Sequence, residues 1–250
     1  MDSRDFYIFG EPIDTKFGKI RFLTYKEYLL NLSELSLISQ NVLHLYYMYR
    51  KQFEKEKNSK ELIEELNQYK KKNLYEIVLG TDYILEAYLK ILLLVLDTNE
   101  YSDEEFKIVI DAIFSTEEDF MYIRNMIMDM QVLTEDDVSP NEEIQKAIER
   151  SRRVKQQSSD KQSFVDIVTS ITASTNNSFD DVCNMTVFQV YATYARISAI
   201  FNYNTTTLFA TVAEKVSIEA WNKHINLFEK KTDTLTQEEF KSQFGGLFDI

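Results

Sequence analysis

A mainly α-helical fold, a multi-helix bundle with a short N-terminal β-hairpin or extended arm, follows from three observations. Glycine and proline are scarce: the 250 residues include 5 Gly and 2 Pro, where average usage would give about 17 and 12. Sandwiches, propellers and dinucleotide-binding α/β sheets need tight turns and glycine loops at many points, so the deficit disfavours them. Hydrophobic residues make up 44% of the chain, with 17 Phe, 15 Tyr and one Trp, which is enough apolar material for a real core at this length. Over most of the chain the apolar residues recur at spacings of three and four, the mark of one helix face.

The first 24 residues depart from that pattern, because Gly10, Pro12 and Gly18 all lie there. Phe6 to Phe9 and Ile20 to Leu23 are short β-prone runs between turn signals, and they predict the hairpin or arm. From Tyr25 helical spacing takes over. Tyr25, Tyr28, Leu29, Leu32 and Leu35, then Val42, Leu45, Tyr46 and Tyr49, predict one or two helices with a common apolar face. The charged run from Lys51 to Lys57 ends that element.

Ser59 to Lys72 reads as an exposed helix with a narrow stripe of Leu62, Ile63, Leu66 and Tyr69. Tyr83 to Leu96 is apolar nearly all round, so it belongs at the centre of the packing. The most apolar window, Ile77 to Leu96, is interrupted by Asp82, Glu86 and Lys90, which argues against a membrane span. Ser102-Asp103-Glu104-Glu105 is a capping box, and Thr116-Glu117-Glu118-Asp119 is a weaker version with an acidic first turn. Beyond them Phe106, Val109, Ile110 and Ile113, then Phe120, Ile123, Ile127 and Met130, continue the bundle.

Thr134 to Pro140 is acidic and polar, and Asn141 to Gln162 holds only Ile144, Ala147, Ile148 and Val154 as apolar residues. Residues 134–162 predict a polar linker or an exposed helix. Phe164, Ile167, Val168 and Ile171 restart the pattern, and the polar patch from Ser174 to Ser178 stops it. The densest aromatic stretch follows from Thr186 to Ala213, and Trp221, Ile225 and Phe228 extend its stripe. Thr236-Gln237-Glu238-Glu239 is a last capping box before Gly245-Gly246. The organisation is therefore an arm at 1–24, an N-terminal helical bundle at 25–133, the polar segment at 134–162 and a C-terminal helical region at 163–250.

Charge narrows the partners. With 28 Lys and Arg against 41 Asp and Glu, the formal net charge is −13, and such a surface repels phosphate backbones and anionic lipid. Neither nucleic acid nor membrane is an expected partner. One cysteine, Cys183, cannot pair within the chain, and the acidic N-terminus lacks the basic start and apolar run of an export signal. A cytoplasmic protein is expected.

No chemistry stands out. His44 and His224 each sit within an apolar helical stripe, where packing explains them, and no nucleophile signature surrounds Cys183. Zinc would need more Cys and His at short spacing. Both standard phosphate-binding glycine motifs are missing. Asp97-Thr98-Asn99-Glu100-Tyr101 begins like a calcium loop, but Ser102 and Ile108 stand where that loop needs glycine and glutamate, and helix capping accounts for the same residues. The chain is thus read as a non-enzyme with no cofactor and no metal. Lys146, Arg150, Arg152, Arg153 and Lys155 reverse the charge locally, and a solvated helix face is the favoured reading. The aromatic face of the long C-terminal helix, Phe188, Tyr191, Tyr194 and Phe201, is the candidate partner-binding surface, in competition with simple core packing.

Two stretches carry a family resemblance. Gly10-Glu11-Pro12-Ile13-Asp14-Thr15, then Phe17-Gly18-Lys19-Ile20-Arg21-Phe22-Leu23 and Tyr25-x-x-Tyr28, resemble the N-terminal portion of tail assembly chaperones of long-tailed phages of Gram-positive bacteria. Thr186-Val187-Phe188-Gln189-Val190-Tyr191, Arg196-Ile197 and Trp221-Asn222-Lys223-His224-Ile225 resemble the matching C-terminal end. The resemblance implies a helical protein of the host cytoplasm that binds the tape measure protein and keeps it soluble until the tail tube polymerises around it. A structural virion component, an adaptor or baseplate protein whose arm adds a strand to a neighbour, is the alternative. Other phage tail proteins and further copies of the chain itself stay open as partners.

Overall fold

The computed structural model describes residues 3–52, 60–96, 101–158, 163–213 and 216–229. Among these are twelve α-helices and one two-stranded antiparallel sheet. The capping box at Thr236, the Gly245-Gly246 pair and the start of the calcium-like run at Asp97 to Glu100 lie outside the described residues.

The N-terminal hairpin is present, but not where the β-prone Phe6 to Phe9 placed it. Ser3–Phe9 forms a 3₁₀ helix. Its three-residue repeat puts Arg4, Tyr7 and Gly10 on one face, and the Tyr7 ring meets Phe22 and Phe188 edge-on at 5.1 and 5.9 Å. Packing of that single ring overrides the local strand preference. Strands β1 (Ile13–Thr15) and β2 (Gly18–Ile20) then pair with Ile13 opposite Ile20 and Thr15 opposite Gly18. Gly18 takes a φ of +103° at the turn, a conformation that glycine alone adopts freely. The segment is no free arm, because Phe17, Ile20, Phe22 and Leu23 are buried in the core.

Three short helices replace the one or two expected after Tyr25: α1 (Tyr25–Leu30), α2 (Leu32–Ile38) and α3 (Val42–Gln52). Asn31 makes the first break. Its side-chain amide donates to the carbonyl of Glu27 at 2.7 Å, so it competes with the helical ladder at the point where α1 ends and α2 begins. Asn41 makes the second, with Oδ1 accepting from the backbone N–H of His44.

Next come α4 (Lys60–Tyr69), α5 (Leu74–Leu79) and α6 (Asp82–Val95), the last two separated by Gly80 and Thr81. Helix α6 is central as expected, burying Ile84, Ala87, Tyr88, Ile91, Leu92 and Val95 against α2 and α5. Helices α7 (Asp103–Ile113) and α8 (Glu117–Met130) start at Ser102 and Thr116, whose hydroxyls accept from the N–H groups of Glu105 and Asp119.

Arg124 on α8 is 1% exposed. Its Nε donates to the carbonyl of Ile38 at 3.0 Å and to the Tyr88 hydroxyl at 3.2 Å, and Nη2 donates to the carbonyl of Gln40 at 3.1 Å. One arginine thus caps the orphan carbonyls at the end of α2 and fixes α8 against α6. Burial pushes the Tyr88 phenol up to about 12, with Arg124 pulling the other way.

The polar segment contains α9 (Glu142–Ser158), held to α3 by Arg50 and Glu142 at 2.7 Å. Helices α10 (Phe164–Ser174) and α11 (Phe179–Asn184) precede the long α12 (Val187–Ala210). The short α11, opened by a Ser178–Asp181 capping box, was not foreseen, since the polar patch before it reads only as a stop. Residues 216–229 form turns and irregular chain in place of the continued helical stripe. The N–H of Tyr25 donates to the carbonyl of Met185 at 2.7 Å, and Thr24 bridges Thr186. On the other side Arg21 N–H donates to the Val95 carbonyl and Ile20 bridges Leu96. The stretch after the hairpin therefore joins α10–α12 to the end of α6 through one continuous core.

Candidate partner-binding surface

Helix α12 starts from a reciprocal cap: Thr186 Oγ1 accepts from the N–H of Gln189, and Gln189 Oε1 accepts from the N–H of Thr186. Its first half is anchored. Val187 and Val190 are fully buried, Tyr191 meets Tyr25 edge-on at 6.1 Å, and α1, α10 and the 3₁₀ helix lie against it. Phe188 is packed between Tyr7 and Phe228, the latter stacked at 6.1 Å, and the Arg4 guanidinium covers the Phe228 ring at 4.4 Å. Arg196 marks the end of this half, with Nη1 donating to the carbonyls of Trp221 and Lys223.

Past Arg196 the environment changes. Phe201 is 59% exposed, Leu208 71% and Phe209 61%, with Ile200 and Val212 also open. From Ile197 to Ala213 there are seventeen residues without an Asp, Glu, Lys or Arg, the longest such run in the chain. An exposed apolar helix end with no charge is the pattern of a surface that another apolar surface covers.

The four sequence candidates separate here. Phe188, Tyr191 and Tyr194 are half-buried and packed against the chain's own core or its 216–229 segment, while Phe201 stands in the open half. Ile200, Leu208, Phe209 and Val212 join Phe201 there and were not singled out as a site. The missing charges between Ile197 and Ala213 are the signal that points to them.

The other candidate groups are dispersed. His44 lines a cleft of about 280 Å³ between α3 and α9, with Tyr47, Arg50, Gln145, Lys146 and Arg152. His224 lines a smaller hollow of about 150 Å³ beside Phe188, Arg196 and Phe228. Cys183 sits in α11. Among the described residues no three of His, Cys, Asp and Glu gather closely enough to hold a metal ion, and no helix is long and apolar enough to cross a membrane. Of the basic cluster, Lys146 pairs with Glu142 at 2.8 Å and Arg152 with Asp136 at 3.3 Å, whereas Arg150 and Arg153 face solvent. Hydrogen bonds from Lys146 and then Arg50 hold the Glu142 carboxyl below the usual carboxylate range. The side chain of Lys155 lies outside the described residues.

Residues 1–140 match the family model described as the YomV N-terminal domain, and residues 155–226 match the YomV second domain. The chain belongs to the YomV family. It is 34% identical over 250 residues to the SPbeta prophage-derived protein YomV of Bacillus subtilis (strain 168), an alignment covering 98% of this chain and 99% of that one. The YomV family is thus phage-derived, and the relative spans both the anchored and the open half of α12. No solved structure matches the chain.

Proposed function

We propose that this protein is a phage tail assembly chaperone of the host cytoplasm, which binds apolar helices of the tape measure protein and keeps them soluble before the tail tube forms. The observation that carries the reading is the open half of α12, where Phe201, Leu208 and Phe209 offer an uncharged apolar surface on an otherwise acidic chain. The prophage relative and the resemblance at both ends of the chain support it. A helix laid along this surface would bury its apolar stripe, while the net charge of −13 keeps the complex dispersed. Binding, with no catalytic step and no cofactor, is sufficient for that role.

The test is co-expression of the full chain with tape measure fragments from the same phage. The soluble fraction of the fragment rises with the wild-type chain and falls back with Phe201→Glu and Leu208→Glu, each checked for native helix content. A fragment that stays insoluble with the wild-type chain overturns the reading.

A further inference from the structure

We infer that the cleft between α3 and α9 binds an acidic peptide segment of a partner protein, its carboxylates held by the cationic lining and an apolar side chain seated on the floor. His44, Tyr47, Met48 and Lys51 recur at spacings of three and four on α3, and Glu142, Gln145, Lys146 and Glu149 do so on α9. Each helix thus turns one face to the space of about 280 Å³ between them. Ser139 fixes the connection: its carbonyl accepts from the Tyr47 hydroxyl at 3.0 Å, and its N–H donates to Oε1 of Gln145 at 3.0 Å, the glutamine being 6% exposed. Arg50 and Glu142 tie the two helices a second time at 2.7 Å. The walls are held by the chain's own bonds, so the cleft is preformed.

Charge selects the ligand. Arg50, Lys51, Lys146 and Arg152 line the cleft against Glu142 and Glu149, on a chain whose net charge is −13. Arg50 and Lys146 share the one carboxylate of Glu142, and Arg152 reaches Asp136, which is not part of the lining, at 3.3 Å. Glu149 accepts from a neutral group, the amide of Gln145, at 3.2 Å. Lys51 is exposed and makes no ion pair among the described residues. The lining is therefore a local excess of positive charge on a negative surface, and it draws a carboxylate that most of the chain repels. Glu142 and Glu149 oppose a continuous row of phosphates, whereas side-chain carboxylates spaced along a peptide avoid them. Met48 and Val138, both half-buried, form an apolar floor that suits a hydrophobic residue between two acids. A volume just below that of drug-sized sites takes roughly two or three side chains.

The inference does not depend on the chaperone reading and involves no part of α12, so either idea can fail while the other stands. Its test is fluorescence anisotropy of the labelled peptide Gly-Glu-Leu-Glu-Gly with the full chain at low salt. The anisotropy rises to saturation, the affinity weakens with added salt, and the peptide Gly-Gln-Leu-Gln-Gly gives no rise. Lys51→Glu and Arg152→Gln each weaken the acidic peptide about tenfold with unchanged helix content. Lys107→Glu makes the same charge change at an exposed position on α7 and leaves the affinity within about twofold, which separates the cleft from the net charge. No binding of the acidic peptide up to about 1 mM, equal binding of the glutamine peptide, an equal loss with Lys107→Glu, or tighter binding of labelled oligothymidylate than of the acidic peptide overturns the proposal.

Discussion

Nη1 of Arg124 lies 2.7 Å from a carboxylate oxygen of Glu135, and the arginine side chain is 1% exposed while the glutamate is 37% exposed. The pair joins the inside of the bundle to the loop between α8 and α9. Truncating Arg124 to Ala takes its donors from the carbonyls of Ile38 and Gln40, leaving Ile38 only the Tyr88 hydroxyl at 3.5 Å, and should cost about 3–5 kcal/mol. Glu135→Gln keeps an acceptor beside the guanidinium but removes its counter-charge, and should cost about 1–3 kcal/mol. Urea denaturation of both variants checks the order, and a smaller loss for Arg124→Ala than for Glu135→Gln contradicts the assignment.

Arg21 and Glu27 make two parallel hydrogen bonds of 2.8 Å, and Glu27 also accepts from the N–H of Thr24 at the start of α1. The Arg21 guanidinium, more than any other cause, holds the Glu27 carboxyl below its ordinary value. A carboxyl depressed in the folded state adds stability above its unfolded pKa and loses it as pH falls through the folded one. Glu27→Gln should therefore cost about 0.5–1 kcal/mol near neutrality, the pair being partly solvated. That difference should shrink to nothing in acid, as melting curves across pH would show.

Burial raises the phenols of Tyr25, Tyr28 and Tyr88 above the ordinary tyrosine value. Below that ordinary value both folded and unfolded chains keep the proton, so the groups cost nothing. Above it the unfolded chain ionises first and folding weakens. Ultraviolet titration should show a class of tyrosines that ionises only together with the loss of far-ultraviolet helix signal. A single smooth titration centred on the ordinary value, with helix intact, would contradict it.

Gly18 sits at φ +103° against Tyr101, and a Cβ added there would run into the Tyr101 hydroxyl, which donates to the carbonyl of Phe17. Gly18→Ala should cost about 1–3 kcal/mol, from backbone strain together with the clash. In a Tyr101→Ala background the same substitution should cost less, because only the backbone part remains. Equal costs in the two backgrounds would show that Tyr101 yields freely.

Removing the Thr186 hydroxyl deletes the cap of α12 and should cost about 1 kcal/mol. Thr186→Ser keeps the hydroxyl that accepts from the Gln189 N–H and should lose little, whereas Thr186→Val, which keeps only the shape, should lose most of it. Thermal melts of the two variants beside the wild type decide this.

Helix starts were legible because capping is local. Ser102 and Thr116 each announce a helix within four residues, and each caps the predicted one. Breaks were less legible. Asn31 and Asn41 lie between apolar residues whose periodicity runs straight through them, and it takes the side-chain hydrogen bonds to show that the backbone turns. The Phe6 to Phe9 run read as strand because four β-prone residues adjoin, while its structure is set by one ring fitted between Phe22 and Phe188. Arg124 gave no signal, since a lone arginine in a helix looks the same whether it faces water or two carbonyl groups.

The partner surface divides along the same line. By itself the sequence determined a helical, acidic, glycine-poor chain, a long C-terminal helix with an apolar stripe, and a neutral run from Ile197 to Ala213, because composition, capping and periodicity are local properties. Val190 and Leu208 lie on one stripe and look alike to any reading of spacing. Only the tertiary structure decided that α1, α10 and the 3₁₀ helix cover the first and leave the second open, because burial depends on where distant segments end, and that is fixed by the packing of the whole core.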